Sequence, residues 1–198
     1  GLLRPAEGRV LVDGEDIASR SIASLARLVG FVFQNPDDQL FGRSVAREVA
    51  FGPANLGVAG ADRTRLVDQA LAALGLGAEA ATNPYDLDLA ARKLVALASV
   101  CAMDPAVLVL DEPTTGQDRP GVARVGGVVD AFTAAGRTVI AISHDKTEAE
   151  YDAAVDPAFV RKGFEAWDML GEKTIEADTD GQFKLTVPSW GVAVAMLE

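Results

Sequence analysis

The sequence predicts an α/β fold whose core is a parallel sheet covered by helices. Three short apolar runs, at residues 28–33, 107–110 and 138–142, contain β-branched residues, and each ends in a polar turn. Such runs are typical of strands buried on both faces of a sheet. Segments with helical spacing separate the runs, and strands that alternate with helices favour a doubly wound parallel sheet.

Composition limits the classes of protein that this chain can represent. Its 198 residues are 49% apolar, which is enough for one domain with a substantial core. The formal charge of −11 argues against a nucleic-acid partner, because duplex binding relies on Lys and Arg. No apolar stretch approaches the ~20 residues that span a bilayer. With a lone Cys101 and no signal segment, a cytoplasmic location is expected, and any membrane association would go through a protein partner.

Helical spacing predicts a short turn at 24–27 and four helices. Their expected spans are 43–50, 62–75, 89–102 and 121–135. Asp62 is the predicted N-cap of the second helix and Gly75 its end. An alternating segment at 8–14 predicts one further strand, closed by an Asp-Gly turn. The helices between about 43 and 103 form an insertion between the first two strands of the sheet.

Each predicted sheet strand ends in residues that can do chemistry. Gln34 follows the first strand, Asp111 and Glu112 follow the second, and His144 follows the third. Ligands of open α/β sheets bind at the carboxyl ends of the strands. One acid there can hold Mg²⁺, and the next can take a proton from an attacking water. The alternative for an acidic pair alone is that it starts a loop or caps a helix.

In this order, Gln34, Asp111 with Glu112, and His144 resemble the Q-loop, Walker B motif and H-loop of the ATP-binding-cassette (ABC) ATPases. The segments 33–41, 49–53 and 114–118 resemble the energy-coupling-factor branch of that family. In that branch a pair of ATPase subunits drives the uptake of vitamins or metal ions. The similarity extends from Gly1 to about Asp145, and it implies a partial P-loop NTPase sheet at 1–148 with a helical subdomain at about 43–103.

The resemblance also implies cofactors and a role for each matching residue. The cofactors would be ATP and Mg²⁺. Asp111 would hold Mg²⁺ through water, and Gln34 would help to place the Mg²⁺ or the attacking water. Glu112 would be the general base, and His144 would contact the γ-phosphate. A solvated loop amide is the alternative for Gln34, and a structural histidine is the alternative for His144.

A second set of residues matches loops that face the partner ATPase in that family. Asp88, Leu89 and Ala90 match the signature loop, which contacts ATP bound to the partner, and Asp118 ends a loop that contacts the opposite subunit. The family usually has a Ser and Gly residues in the signature loop, where Asp88 is still expected to cap the predicted helix at 89–102. An ionised Asp88 would instead repel a phosphate at ~4 Å by ~1 kcal/mol in water and ~4 kcal/mol at a dielectric of 20. We therefore expect a degenerate half-site, unless Arg92, Lys93 or Mg²⁺ compensates.

The family's phosphate-binding motif, Gly-x-x-x-x-Gly-Lys-[Ser/Thr], does not occur in this sequence. In the family it lies just before the segment that matches Gly1–Pro5, so the sequence-based expectation is a fragment that is inactive by itself. The expected partners are a second ABC ATPase subunit and transmembrane coupling and substrate-binding components. They would place the chain on the inner face of the membrane. The alternative is a non-catalytic interaction module.

Residues 149–198 differ in character from the rest of the chain. Strands are predicted at 174–177, 183–187 and 192–196, with an Asp-Gly hairpin turn at 180–181, which together indicate a β-meander. The segment can be a divergent edge of the same domain. It also loosely resembles the closing strands of glycoside-hydrolase β-sandwich subdomains. A chimeric chain that joins two unrelated pieces therefore remains an alternative.

Overall fold

The computed structural model describes residues 10–12, 15–142, 166–168 and 173–175. In chain order the elements are β1 (Leu11–Val12), β2 (Glu15–Asp16), α1 (Ile22–Leu28), β3 (Val29–Val32), α2 (Val45–Asn55), α3 (Gly60–Ala73), α4 (Leu89–Cys101), β4 (Val107–Asp111), α5 (Arg119–Ala134), β5 (Thr138–Ile142), β6 (Ala166–Asp168) and β7 (Lys173–Ile175). Short 3-10 turns lie at Ile17–Ser19, Pro36–Asp38, Gly77–Glu79 and Pro84–Asp86.

The predicted parallel sheet is confirmed, with the strand order β3-β4-β5. Val29 of β3 pairs with Val107 of β4, which pairs with Thr138 of β5. All three strands start level and run the same way, so their carboxyl ends meet at one edge. Nearer the start of the chain, β1 lies inside the predicted strand at 8–14 and pairs antiparallel with β2, a second short strand that lies beyond the predicted span.

The expectation that every sheet strand is buried on both faces is wrong for β3. Gly30 and Val32 are buried on the face that meets α4, but Phe31 on the other face is 40% exposed. The rings of Phe31 and Phe33 pack against each other with centroids 4.9 Å apart. The described residues therefore cover only one face of this strand.

The helical insertion between β3 and β4 is confirmed, and its helices share the hydrophobic core of the sheet. Helix α2 continues five residues beyond its predicted end and contains Pro53. A proline inside a helix removes one hydrogen bond and costs ~3 kcal/mol. Val49, Gly52 and Pro53 are all buried, and α2 packs against both α3 and α4. This packing outweighs the cost of the proline.

Helix ends agree with the prediction where a polar side chain caps them. Asp88 caps α4 and accepts a hydrogen bond from Ala91 N at 2.7 Å, as predicted. The prediction that Asp62 caps α3 is wrong, because the N-cap is Ala59 and Asp62 lies in the first turn. Gly75 adopts a left-handed φ of 68° after the end of α3, which agrees with its predicted role.

In the C-terminal part, β6 and β7 form an antiparallel pair in which Ala166 lies opposite Ile175. The strand predicted at 174–177 is present in part as β7, and β6 was not predicted. The strands predicted at 183–187 and 192–196 lie outside the described residues. Among the described helices, none has both the length and the apolar character needed to cross a bilayer.

Candidate functional site

The carboxyl edge of the sheet brings the predicted site residues of β3 and β4 together. Asp111 is the last residue of β4 and is half-buried. Val32 pairs with Leu110, and Gln34 and Glu112 each lie two residues beyond these paired positions. Gln34 and Glu112 therefore leave the same edge of the sheet, and Gln34 is exposed there. His144, predicted beside them, lies outside the described residues.

Glu112 is held in an uncommon conformation by contacts on both sides of its Cα. Its φ is +49°, which is a left-handed value that costs a non-glycine residue of the order of 1 kcal/mol. Its N–H donates to the carbonyl oxygen of Ile142 at 2.8 Å, so it extends the pairing of β4 with β5. Thr115 Oγ1 donates to the Glu112 carboxylate at 2.5 Å. The residue is only 3% exposed, so its carboxylate is fixed by the protein.

Lys93, on α4, holds the other side of the Glu112 peptide. Its Nζ donates to the Glu112 carbonyl oxygen at 2.9 Å. Lys93 is 8% exposed, and a buried ammonium group is tolerated only where it is hydrogen-bonded or paired. Charge-assisted hydrogen bonds of this kind are about twice as strong as neutral ones. Lys93 also lines a small cleft with Phe33, Asp111, Glu112 and Pro113.

The loop that follows β3 is fastened to α4 at two points. Gln39 accepts a hydrogen bond from Phe33 N at 3.3 Å, while its amide donates to Ala96 O at 3.0 Å and to Ser99 Oγ at 3.2 Å. Asp37 forms an ion pair with Arg92 at 3.4 Å. The loop that carries Gln34 is therefore attached to the middle and the first turns of α4.

The residues predicted to face a partner subunit also cluster near the start of α4. Asp88 is exposed and uses one carboxylate oxygen to cap the helix. Leu89 is 49% exposed, and the carbonyl oxygen of Ala90 accepts a hydrogen bond from Gln117 Nε2 at 2.8 Å. Next to Gln117, Asp118 caps α5 by accepting from Gly121 N at 2.8 Å. The Gln117 bond thus joins the two loops on which these residues lie.

The oxygen ligands at the strand ends fit a magnesium ion that keeps most of its other ligands as water or phosphate. Mg²⁺ in nucleotide sites is bound by one or two carboxylates plus substrate phosphates. Asp111 supplies a carboxylate and Gln34 an amide oxygen at the same edge. The described residues contain no group of three or more His, Cys, Asp or Glu side chains that could hold a metal ion by themselves. An ion held by the Asp111 carboxylate would take further ligands from water and from the phosphates of the nucleotide.

Sequence reasoning missed the structural role of Lys93, which it considered only as a compensating charge. One signal was present in the sequence, where Lys93 directly precedes a long apolar run. In the structure, all residues of α4 from 93 to 100 are buried. A lysine on the buried side of a helix indicates a specific partner inside the protein. Nothing in the local sequence identifies that partner, since Glu112 lies 19 residues away.

Comparison with protein families finds one match, to the ABC transporter family, over residues 1–115. Two relatives are named energy-coupling factor transporter ATP-binding proteins. EcfA2 of Symbiobacterium thermophilum is 44% identical over 155 residues, which cover 76% of this chain and 54% of the relative. EcfA of Methanoculleus marisnigri is 43% identical over 145 residues, which cover 73% of this chain and 52% of the relative. The chain spans about half the length of these relatives.

A solved structure shares the fold. It is cbiO1 from Clostridium perfringens, described as part of the ABC transporter complex cbiONQ. The TM-score is 0.63 at 37% identity, and the match covers 73% of this chain and 59% of that one.

Proposed function

This chain belongs to the ABC transporter family, and from that premise we propose that it is the ATP-binding subunit of an importer of the energy-coupling-factor type. The solute would be a vitamin or a transition-metal ion. The proposal includes a second ABC ATPase subunit, transmembrane coupling and substrate-binding components, and a position on the inner face of the membrane. The names of the relatives support this assignment, and the geometry of Glu112 is the observation that carries its chemistry.

The proposed reaction is hydrolysis of ATP, with bound Mg²⁺ neutralising the phosphate charge. Asp111 would hold the Mg²⁺ through water, and Gln34 would orient the ion or the attacking water. Glu112 would take the proton from that water, which is the task of a general base. Fixed contacts to Thr115, Lys93 and Ile142 suit this role, because a base works best when its position is set in advance. His144 would contact the γ-phosphate.

The signature-loop side of the protein supports a weaker half-site. Asp88, Leu89 and Ala90 would face ATP bound to the partner subunit, together with the loop that ends at Asp118. The Asp88 carboxylate is exposed, and only one of its oxygens is used by the helix cap. A negative charge facing a phosphate would lower turnover at that site. A non-catalytic interaction module is the second candidate function, and this charge is the observation that favours it.

Domain limits form part of the same proposal. We assign 1–148 to the ATPase domain, with the helical subdomain at about 43–103, and 149–198 to a separate β-rich segment. The matches to both named relatives cover only 73–76% of the chain, which supports a different origin for the remainder.

Glu112→Gln tests the hydrolytic role. The full-length gene product, assembled with its partner ATPase, should bind Mg-ATP with unchanged affinity while turnover falls by about 100-fold or more, because the amide cannot accept the proton. Glu79→Gln, in the turn Gly77–Glu79, is the matched control and should keep full turnover. The proposal fails if the wild-type assembly does not bind Mg-ATP, or if the Glu112→Gln assembly hydrolyses it at the wild-type rate.

The half-site is tested by restoring the residues that the family carries. Asp88→Ser with Ala90→Gly should raise turnover by about fivefold or more, because the change removes a repulsion of at least ~1 kcal/mol. Both Ser and Asp cap helices well, so Asp88→Ser should leave the stability of α4 nearly unchanged, whereas Ala90→Gly in its first turn should cost up to ~1 kcal/mol. An unchanged rate would show that Asp88 does not weaken the site.

An exposed aromatic pair supports contact with the membrane component. Phe41 is 60% exposed and Phe51 is 48% exposed, and their rings meet edge to face with centroids 4.7 Å apart. The buried carboxylate of Glu48 accepts hydrogen bonds from the N–H groups of Phe41 and Gly42, which fixes the loop below the ring of Phe41. Exposed apolar patches held this firmly are typical of protein-binding surfaces. We propose that the transmembrane coupling component binds to this surface.

A further inference from the structure

The hydrogen bond from Lys93 to Glu112 connects two parts of the chain that the sequence separates. Lys93 lies in the second turn of α4, within the helical insertion, whereas Glu112 follows the central strand of the sheet. The ammonium group is buried and its Nζ lies 2.9 Å from the Glu112 carbonyl oxygen. Burial in this position is unfavourable for a lysine unless the contact is made. The contact therefore defines where this part of α4 lies relative to the turn after β4.

The same turn is held at three places. The Glu112 N–H is bonded to β5 through Ile142, and the Glu112 carbonyl is bonded to α4 through Lys93. Farther along, Gln117 Nε2 donates to Ala90 O, which lies three residues before Lys93 in α4. With its peptide fixed on both sides and a left-handed φ of +49°, the Glu112 side chain has a set direction.

We propose that Lys93 is a positioning residue for Glu112, which fastens the turn 112–117 to α4 and thereby sets the direction of the catalytic carboxylate. The catalytic part of this inference rests on the proposed ATPase function. In this proposal Lys93 acts through the Glu112 backbone, whose carbonyl oxygen accepts its hydrogen bond. Because α4 begins at the Asp88 half-site, the turn that carries the base moves with the helix that completes the partner's site.

Hydrogen exchange tests the positioning without any assumption about activity. Lys93→Met keeps an unbranched side chain as far as the ε position and removes the ammonium donor. In the full-length protein, the amides of residues 112–118 should exchange faster by about tenfold, while those of α2 stay unchanged. Arg65→Met is the matched control, because Arg65 lies on α3 with a side chain 58% exposed. If a folded Lys93→Met variant exchanges at the wild-type rate over 112–118, the inference is wrong.

Turnover and binding then test the catalytic consequence in the assembly with the partner ATPase. Lys93→Met should lower kcat by about tenfold or more and leave the Kd for Mg-ATP within about twofold, since a displaced base affects the chemical step and not binding. Lys93→Arg keeps a cationic donor and should recover part of the rate. An unchanged kcat with faster exchange would overturn the catalytic role. Absence of turnover in the wild-type assembly would refute the proposed function instead, and the exchange experiment would still decide whether Lys93 fixes the turn.

If the Lys93→Met variant does not fold, Lys93→Gln replaces it in both experiments. Its amide is polar but shorter, so it loses the reach to the Glu112 carbonyl. The same faster exchange and lower kcat are expected, and wild-type values of both would overturn the inference.

Discussion

Gly30→Ala should destabilise the protein, because β3 and α4 approach too closely for a side chain there. A Cβ atom at Gly30 would overlap Val100 Cγ1 and lie 2.9 Å from Pro105 Cγ. Real Cβ atoms essentially never show contacts below 3.0 Å, so one of the neighbours must move. Val100 is 6% exposed, and Pro105 is among the fully buried side chains. Neither has free space to move into.

The size of the effect follows from these contacts. Forcing an extra methyl group into a packed core costs ~1–3 kcal/mol. Valine in a helix has one strongly preferred rotamer, so Val100 cannot simply rotate away, and the upper half of this range applies. Alanine is better than glycine in a regular element by ~0.5–1 kcal/mol, which offsets part of the cost. The expected net loss in the free energy of unfolding is about 2 kcal/mol.

Urea unfolding of the full-length protein, followed by far-UV circular dichroism, measures this difference. Gly127→Ala is the matched control, because no atom beyond the neighbouring backbone of its own helix lies within 4 Å of its added Cβ, and it should stabilise α5 by ~0.5–1 kcal/mol. Val100→Ala combined with Gly30→Ala should show a coupling energy of at least ~1 kcal/mol, since the two changes compensate in volume. Additive effects, or a Gly30→Ala protein as stable as the wild type, would show that β3 and α4 do not pack this closely.

Three further outcomes are expected. Phe41→Ser should abolish co-purification with the transmembrane component and leave Mg-ATP binding intact, whereas Ile22→Ser, another exposed apolar residue, should change neither. Burial raises the pKa of the Cys101 thiol from 9.0 to about 12, and the charge of Asp104 adds to the shift. Alkylation at pH 8 should therefore be slow until the protein unfolds. Because the folded state keeps this proton longer than the unfolded state, the free energy of unfolding should fall between pH 9 and pH 12, and Cys101→Ala should remove that slope. Finally, light scattering of the isolated 198-residue chain should show oligomers, since β3 and β5 are edge strands of the sheet that the described residues form and edge strands promote association; a clean monomer would contradict this.

The sheet could be predicted because its strands are short apolar runs that end in polar turns. Residues 107–110 and 138–142 carry this pattern clearly, and both strands lie where it indicates. The pattern does not show which faces are covered. Phe31 has the same apolar character as its buried neighbours but lies exposed, because burial depends on what packs against the strand.

Helix ends could be predicted where a local side chain sets them, as Asp88 does for α4. They could not where packing or backbone alone sets them. Pro53 is a strong helix breaker in isolation, and α2 continues through it because the helix is packed against α3 and α4. Ala59 makes no side-chain cap hydrogen bond and gives no sequence signal for the start of α3, which is why the prediction of Asp62 as the cap is wrong.

The residues of the candidate site also fall into two groups, those that local sequence could predict and those that only packing brings together. Asp111, Glu112 and Gln34 could be located because they lie at or just beyond the ends of apolar strands, and the register of the parallel sheet then places them at one edge. Lys93 reaches Glu112 only through the packing of α4 on the sheet. Such a contact between distant parts of the chain leaves no periodic or local pattern.

The three side-chain hydrogen bonds of Gln39 have a consequence for how the molecule can bend. They tie the end of β3 to the middle of α4, so these two elements translate together as one block. Any rotation of α2 and α3 relative to the sheet must then begin after residue 39, close to Leu40 and the loop in front of α2. Spin labels on α2 and on β5 would report such rotation, while a pair on β3 and α4 would keep a constant separation.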